Sequence, residues 1–182
     1  MNIIDSTVII YHFETHIENN ILLNILHAFN NQTYRHFNVI IYTSDINYNY
    51  VEKLITDTKL DFFYAIKCFT TEKKISKAPL NEYCIFTKAK TIPDRHFIEN
   101  QVAIREFGFY LKGSLQKIRA PLFSITDIYQ EKFITQKKET NEDYFFSAWT
   151  KEIDLETFDF NDISASIKSS KFKKVKTKSV YF

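Results

Sequence analysis

Short apolar runs alternate with segments of helical periodicity over the first 66 residues, and this alternation restricts the fold more than any other feature of the sequence. Residues 7–13 and 37–42 are β-branched and aromatic runs too short for helices, so each is predicted to be a buried strand. Apolar residues recur at helical spacing over residues 17–29, which predicts an amphipathic helix between the two strands. Residues 51–59 suggest a second helix and residues 60–66 a third strand. Strands and helices in this order predict an α/β fold with right-handed crossovers and a largely parallel sheet.

The second half of the chain continues the pattern with weaker periodicity. Strands are predicted at residues 83–86, 109–111 and 171–182, and helices at residues 92–108, 127–133 and 143–149. The helix at 92–108 would begin at Pro93 and end at Gly108. The 182 residues contain no internal repeat or low-complexity linker, and 45% of them are hydrophobic, so residues 1–182 are predicted to form a single domain.

Composition excludes several classes of function. The formal net charge of +2 favours neither a nucleic-acid-binding protein nor a polyacidic one. The two glycines are too few for a glycine-rich phosphate loop. No apolar stretch approaches the ~18 residues of a membrane span, and the N-terminus does not fit a secretory signal, so a cytoplasmic protein is expected. Cys68 and Cys84 lack metal-ligand spacing and are predicted to be buried free thiols.

Charge is distributed unevenly along the chain. Eight acids and a single base lie between Glu139 and Asp162, and a lysine-rich tail follows them. The tail lysines are Lys168, Lys171, Lys173, Lys174, Lys176 and Lys178. Because apolar and basic residues alternate here, the tail is predicted to be an edge strand whose lysines discourage unwanted pairing, and no nucleic-acid partner is expected.

Three segments resemble family 2 glycosyltransferases of the GT-A fold. The run STVIIYHFETHIENNILLNILHAFNNQTYRHFNVIIYTSD is similar to their opening strand, helix, Gln-Thr-Tyr turn and second strand. NEYCIFTKAKTIPDRHFIENQVAIREFGFYLKG is similar to the central segment that carries their Asp-x-Asp motif, and NEDYFFSAW to a later acidic segment. The residues in the expected order and spacing are Gln32, Thr33, Tyr34, Phe37, Pro93, Phe97 and Ile98. The resemblance implies a nucleotide-diphospho-sugar transferase-like fold, with a mixed, mainly parallel sheet flanked by helices.

The resemblance also implies a nucleotide-sugar site at the ends of the first two strands. Relatives contact the nucleotide base after the first strand, where this chain has Glu14. Their second strand ends in an aspartate that contacts the nucleobase or ribose. Thr43 and Ser44 occupy that place here, with Asp45 one step beyond, so all four residues are predicted to bind substrate.

Lys88 and Lys90 stand where the family has the two aspartates that hold a divalent metal. Two lysines cannot hold a metal, so no metal cofactor is expected. Each ammonium ~4 Å from a phosphate would gain about 4 kcal/mol at an effective dielectric near 20, before desolvation, so the pair could offset a diphosphate directly. Two alternatives stay open: the lysines pair with Glu142 or Asp143 and fill an abandoned site, or they lie in solvent.

Asp143 is the predicted general base, because the acidic segment of inverting relatives supplies that carboxylate. Glu142, its neighbour in the same segment, is predicted to bind substrate. Alternatively, Glu142 and Asp143 are first-turn acids of a helix that starts near Asn141. The implied function is a family 2 glycosyltransferase-like protein, metal-independent or catalytically inactive, in glycan synthesis of the bacterial type. The alternative is a non-catalytic scaffold or regulatory partner of an active glycosyltransferase, or a glycan-binding module. The expected partners are a nucleotide sugar or nucleoside diphosphate, and a glycosyltransferase or a second copy of the chain.

Overall fold

The chain folds into two β-sheets and three α-helices within the residues that the computed structural model describes. These are residues 7–12, 19–68, 83–87, 91–118, 126, 130, 138–139, 144–154, 163–177 and 179–181. The helices are α1 (Asn19–Asn30), α2 (Asp45–Thr56) and α3 (Phe97–Ile104). The strands are β1 (Thr7–His12), β2 (Phe37–Thr43), β3 (Phe63–Cys68), β4 (Tyr83–Thr87), β5 (Thr91–Ile92), β6 (Tyr110–Ser114), β7 (Gln116–Ile118), β8 (Lys138–Glu139), β9 (Tyr144–Trp149), β10 (Phe172–Lys174) and β11 (Val180–Tyr181).

The larger sheet has seven strands in the order β10-β6-β9-β4-β1-β2-β3, and the smaller has four in the order β5-β11-β7-β8. In the larger sheet β1 is parallel to β2 and β4, β2 to β3, and β6 to β10. Only β9 runs the other way, antiparallel to both β4 and β6. Six strands therefore end at one edge of this sheet, which we call the carboxyl edge, and β9 begins there.

One face of the larger sheet carries the hydrophobic core that all three helices share. Side chains alternate between the two faces of a strand, and the core includes every second residue of β2 and β4. From the helices and these two strands it contains Leu22, Ile25, Leu26, Phe29, Val51, Ile55, Phe97, Ile98, Phe37, Val39, Ile41, Tyr83 and Ile85. Ile40, Cys84 and Phe86 point to the opposite face and are also buried. Burial on both faces explains why these strands are continuous apolar runs.

Several predicted boundaries are corrected by the structure. The second helix begins at Asp45 rather than at residue 51, and Asp45 places a carboxylate in the first turn, where it interacts favourably with the helix dipole. The helix buries only Val51 and Ile55, and even Ile46 in its first turn is exposed. The helix predicted at 92–108 is limited to α3, because Arg105 is extended. Most of the helix predicted at 127–133 lies outside the described residues.

The prediction of a helix at residues 143–149 is wrong, because Tyr144–Trp149 is a strand. β9 lies between β4 and β6, where it buries Phe145, Ser147 and Ala148. The predicted single strand at residues 171–182 is also divided. β10 joins the edge of the larger sheet beside β6, and β11 pairs with β5 and β7 in the smaller sheet.

Candidate functional site

The carboxyl edge brings together the ends of the four parallel strands that precede residue 88. Register places His12 of β1 beside Tyr42 of β2, and Tyr11 beside Thr87, the last residue of β4. Thr43 at the end of β2 lies beside Cys68 at the end of β3. Open sheets of this kind bind ligands outside the carboxyl ends of their strands, so this edge is the candidate site.

Two threonine hydroxyls lie at this edge on the same face of the sheet. Ile41 and Thr87 both align with Tyr11, and Thr43 lies two residues beyond Ile41, so Thr43 and Thr87 point the same way. Their side chains are 0% and 2% exposed. Neither Oγ1 atom has a hydrogen-bond partner within the described part of the chain. A buried hydroxyl without a partner costs about 1–3 kcal/mol, so these two groups call for an explanation.

The start of α2 adds a hydroxyl and a carboxylate to the same edge. Ser44 is the N-cap residue but makes no capping hydrogen bond through its side chain, and its buried Oγ has no partner among the described residues. Asp45 is exposed in the first turn of α2. Thr43, Ser44 and Asp45, which were predicted from the resemblance to bind substrate, thus lie at the carboxyl edge, where β2 ends and α2 begins.

Cys68 also lies at this edge, although the sequence did not indicate that it belongs to the site. It was predicted to be a buried thiol, but it is only half-buried. Partial burial raises the pKa of the Cys68 thiol, and a hydrogen bond to Asp45 and the charge of that carboxylate raise it further. The position could have been found from its place at the end of the third parallel strand. Cys84 is buried as predicted, and burial raises the pKa of its thiol to about 12.

Five predicted site residues lie outside the described residues: Glu14, Lys88, Lys90, Glu142 and Asp143. Their roles stay predictions. The structure does describe their neighbours in the sequence, Thr87 and Tyr144. Tyr144 pairs with Ser114 at the carboxyl edge. Because residues 144–149 form β9, the alternative in which Glu142 and Asp143 open a helix of that segment is wrong.

Two of the residues that carry the family resemblance, Gln32 and Ile98, belong to a hydrogen-bonded joint around Asp94. Gln32 Nε2 donates to the Asp94 carbonyl oxygen at 2.7 Å, and Gln32 Oε1 accepts from the backbone N–H of Ile98 at 3.2 Å. The Asp94 carboxylate is buried and accepts from Thr177 Oγ1 at 2.6 Å and Ser179 Oγ at 3.2 Å. This joint ties the end of α1 to the start of α3 and to the segment before β11, so Gln32 has a structural role.

The part of the chain that the structure describes lacks two features, a group of metal-ligating side chains and a membrane-spanning helix. There, no three His, Cys, Asp or Glu side chains are grouped so that they could hold a metal ion. Nor does any described helix combine the length and the apolar character needed to span a membrane.

Comparison with known proteins shows the fold alone. Neither a protein-family model nor a curated protein matches this sequence. A solved structure, 4-diphosphocytidyl-2C-methyl-D-erythritol synthase from Anaerococcus prevotii, matches with a TM-score of 0.57 at 9% sequence identity. The match covers 100% of this chain and 93% of that one. That enzyme has a nucleotide-diphospho-sugar transferase-like fold. This chain is similar to it in fold. The two structures share a mixed α/β architecture at a coarse level, while membership of glycosyltransferase family 2 stays a prediction from the sequence.

Proposed function

We propose that this chain is a glycosyltransferase-like protein of family 2 that binds a nucleoside diphosphate or nucleotide sugar at the carboxyl edge without a divalent metal. The observation that carries the proposal is the pair of buried hydroxyls of Thr43 and Thr87, which lack partners within the described residues. A ligand with phosphate or ribose oxygens would satisfy both groups. The fold similarity to a 4-diphosphocytidyl-2C-methyl-D-erythritol synthase supports a nucleotide ligand at this place.

Lys88 and Lys90 are assigned to the diphosphate in this proposal. Lys88 follows Thr87 directly, and Thr87 ends β4 at the centre of the carboxyl edge. Two ammonium groups would offset the negative charge that a metal neutralises in the family. Glu14, Ser44 and Asp45 would contact the nucleoside.

Sugar transfer is expected to be weak or absent. Asp143 is the proposed general base, and it precedes Tyr144, the first residue of β9 at the carboxyl edge. Lysine provides neither the rigid clamp of a metal nor the bidentate geometry of arginine, so it stabilises a leaving diphosphate less effectively. Rapid transfer from a common nucleotide sugar, stimulated by manganese, would contradict the proposal.

Calorimetry with UDP, CDP, GDP and ADP, each with EDTA or with manganese, tests the proposal. We expect at least one nucleotide to bind equally well in both conditions. Lys88→Ala with Lys90→Ala should weaken that binding at least ~10-fold, since each lost charge-assisted contact is worth 1.4 kcal/mol or more. Lys53→Ala is the control, because Lys53 is exposed in the second half of α2.

The same titrations separate the proposal from its alternative. If none of the four nucleotides binds in either condition, the nucleotide site is wrong, and a scaffold, regulatory partner or glycan-binding module becomes the better explanation. If binding occurs but is unchanged in the double lysine variant, the assignment of Lys88 and Lys90 is wrong.

A further inference from the structure

A basic cavity lies at the carboxyl ends of β6 and β10, on the far side of β9 from the candidate nucleotide site. Its volume is about 550 Å³, and Lys112, Ser114, Lys174, Lys176 and Thr177 contribute to its lining. This volume is in the range of small-molecule sites. β6 is two strands away from β4, which is about 10 Å at the usual strand spacing. The cavity is thus separate from the ends of β1, β2 and β4.

The register of the two strands concentrates positive charge in this cavity. Lys112 of β6 and Lys174 of β10 are direct partners in the parallel pair, so their side chains leave the same face of the sheet. Lys176 lies two residues beyond Lys174 and lines the same cavity. Adjacent like charges are unfavourable unless an anion or water lies between them. The described lining contains three lysines and no acid.

The lysines in and beside the cavity differ in whether another group of the protein already contacts their ammonium. Lys173, on the opposite side of β10, forms an ion pair with Glu106. Lys112 lies with its Nζ 3.9 Å from the centre of the Phe172 ring. Lys174 and Lys176 are exposed and have no ion-pair partner within the described residues. Their charges are therefore available to a ligand in the cavity.

We infer that this cavity is a binding site for the phosphate group of a small phosphate monoester, distinct from the nucleotide site. Lys174 and Lys176 supply the charge, and the hydroxyl of Ser114 can donate to a phosphate oxygen. The remaining volume accommodates an organic group of about the size of a sugar. A monoester with two negative charges matches the lysines better than a neutral sugar does.

Calorimetric titration of the full chain with glycerol 3-phosphate at low ionic strength tests this inference. Glycerol is the uncharged control, and inorganic phosphate distinguishes the free ion from the ester. We expect glycerol 3-phosphate to bind and glycerol not to bind. Lys174→Gln with Lys176→Gln should weaken the binding at least ~10-fold, the effect of losing one charge-assisted contact.

Lys168→Gln with Lys171→Gln is the matched control, because it removes the same charge from the same tail outside the cavity lining. Equal weakening by both double variants would show general attraction to a basic surface and overturn the inference. No binding of glycerol 3-phosphate, or binding of inorganic phosphate alone, would overturn it as well. Lys88→Ala with Lys90→Ala should leave this titration unchanged, so failure here is distinguishable from failure of the proposed nucleotide site.

Discussion

At the scale of single residues, the buried hydroxyls of Thr43 and Thr87 at the carboxyl edge are the most informative feature. Buried polar groups in folded proteins are almost always hydrogen-bonded, and a native exception needs an explanation. Thr43 and Thr87 lie on the two strands that flank β1, and both hydroxyls lack a partner in the described region. In the proposed function, a ligand at this edge would supply partners for both hydroxyls.

Replacement of Thr87 by valine should separate stability from binding. Thr87→Val keeps the shape of the side chain and removes a buried hydroxyl that has no partner among the described residues, so the free energy of unfolding should rise by up to about 1 kcal/mol. Affinity for the nucleotide that binds best should fall. Urea denaturation and calorimetry measure the two effects. A loss of stability with unchanged affinity would show that the hydroxyl has a structural partner.

The reactivity of Cys68 should depend on Asp45. Asp45→Asn removes the carboxylate that helps to raise the pKa of the Cys68 thiol, so the pH profile of its alkylation by iodoacetamide should move to lower pH. At a fixed pH of ~8, below the usual thiol pKa of about 8.5, the variant should react faster. Mass spectrometry of the labelled peptide distinguishes Cys68 from Cys84, which burial should keep unreactive in the folded chain. Identical profiles for variant and parent would contradict the contact.

At the scale of elements, the direction of β9 has the largest consequence for function. A strand that runs antiparallel between β4 and β6 begins at the edge where its neighbours end. Tyr144, the first residue of β9, therefore lies at the carboxyl edge, beside Ser114. A helix at residues 144–149 would not fix Tyr144 at this edge.

Gly113 allows β6 to pack closely against β9 and the segment after β10. A Cβ at Gly113 would lie 2.5 Å from a ring carbon of Phe145 and 2.6 Å from the carbonyl oxygen of Val175. Because the carbonyl oxygen is backbone and cannot turn away, Gly113→Ala should lower the free energy of unfolding by about 1–3 kcal/mol. Ser114→Ala, at an exposed neighbour, should change it by less than about 0.5 kcal/mol. Urea denaturation that shows equal effects for both would contradict the close packing.

Asp94 should be needed to hold the segment before β11 against the start of α3. In Asp94→Asn an amide nitrogen replaces one of the carboxylate oxygens, and it cannot accept the hydrogen bonds of Thr177 and Ser179. We expect a loss of about 1–3 kcal/mol in the free energy of unfolding, measured with urea. Asp57→Asn serves as the control, because it makes the same chemical change in an exposed side chain at the end of α2. An Asp94 variant as stable as the control would show that the joint is dispensable.

At the scale of the whole molecule, the two edges of the larger sheet differ in chemistry. At the edge opposite the carboxyl edge, Phe107 stacks on Trp149 at 4.3 Å between ring centres, and Arg105 lies over both Trp149 and Tyr83. These aromatic and cationic groups contact each other. The carboxyl edge instead presents a lysine-lined cavity and hydroxyls that have no partner in the described part of the chain.

Hydrogen exchange should reflect this difference between the edges. With a saturating nucleotide, amide exchange should slow at the carboxyl edge, at the end of β2 and in the first turn of α2, because a bound ligand excludes water and suppresses local opening there. Residues 105–109 near the opposite edge should be unaffected. Mass spectrometry of peptides with and without the nucleotide measures both regions. Protection restricted to residues 105–109 would move the site to the other edge.

The α/β class and the existence of the first four strands could be predicted from the sequence alone. These properties follow from apolar periodicity, which is local and survives in any tertiary context. The early start of α2 could not be predicted, because few of its residues need burial. Three features depend on the tertiary structure: residues 144–149 are a strand, the tail divides between two sheets, and the hydroxyls of Thr43 and Thr87 lack hydrogen-bond partners among the described residues. Each depends on what lies beside the residue in space: β9 exists because β4 and β6 supply hydrogen-bonding partners on both sides, and a short aromatic run cannot specify those partners.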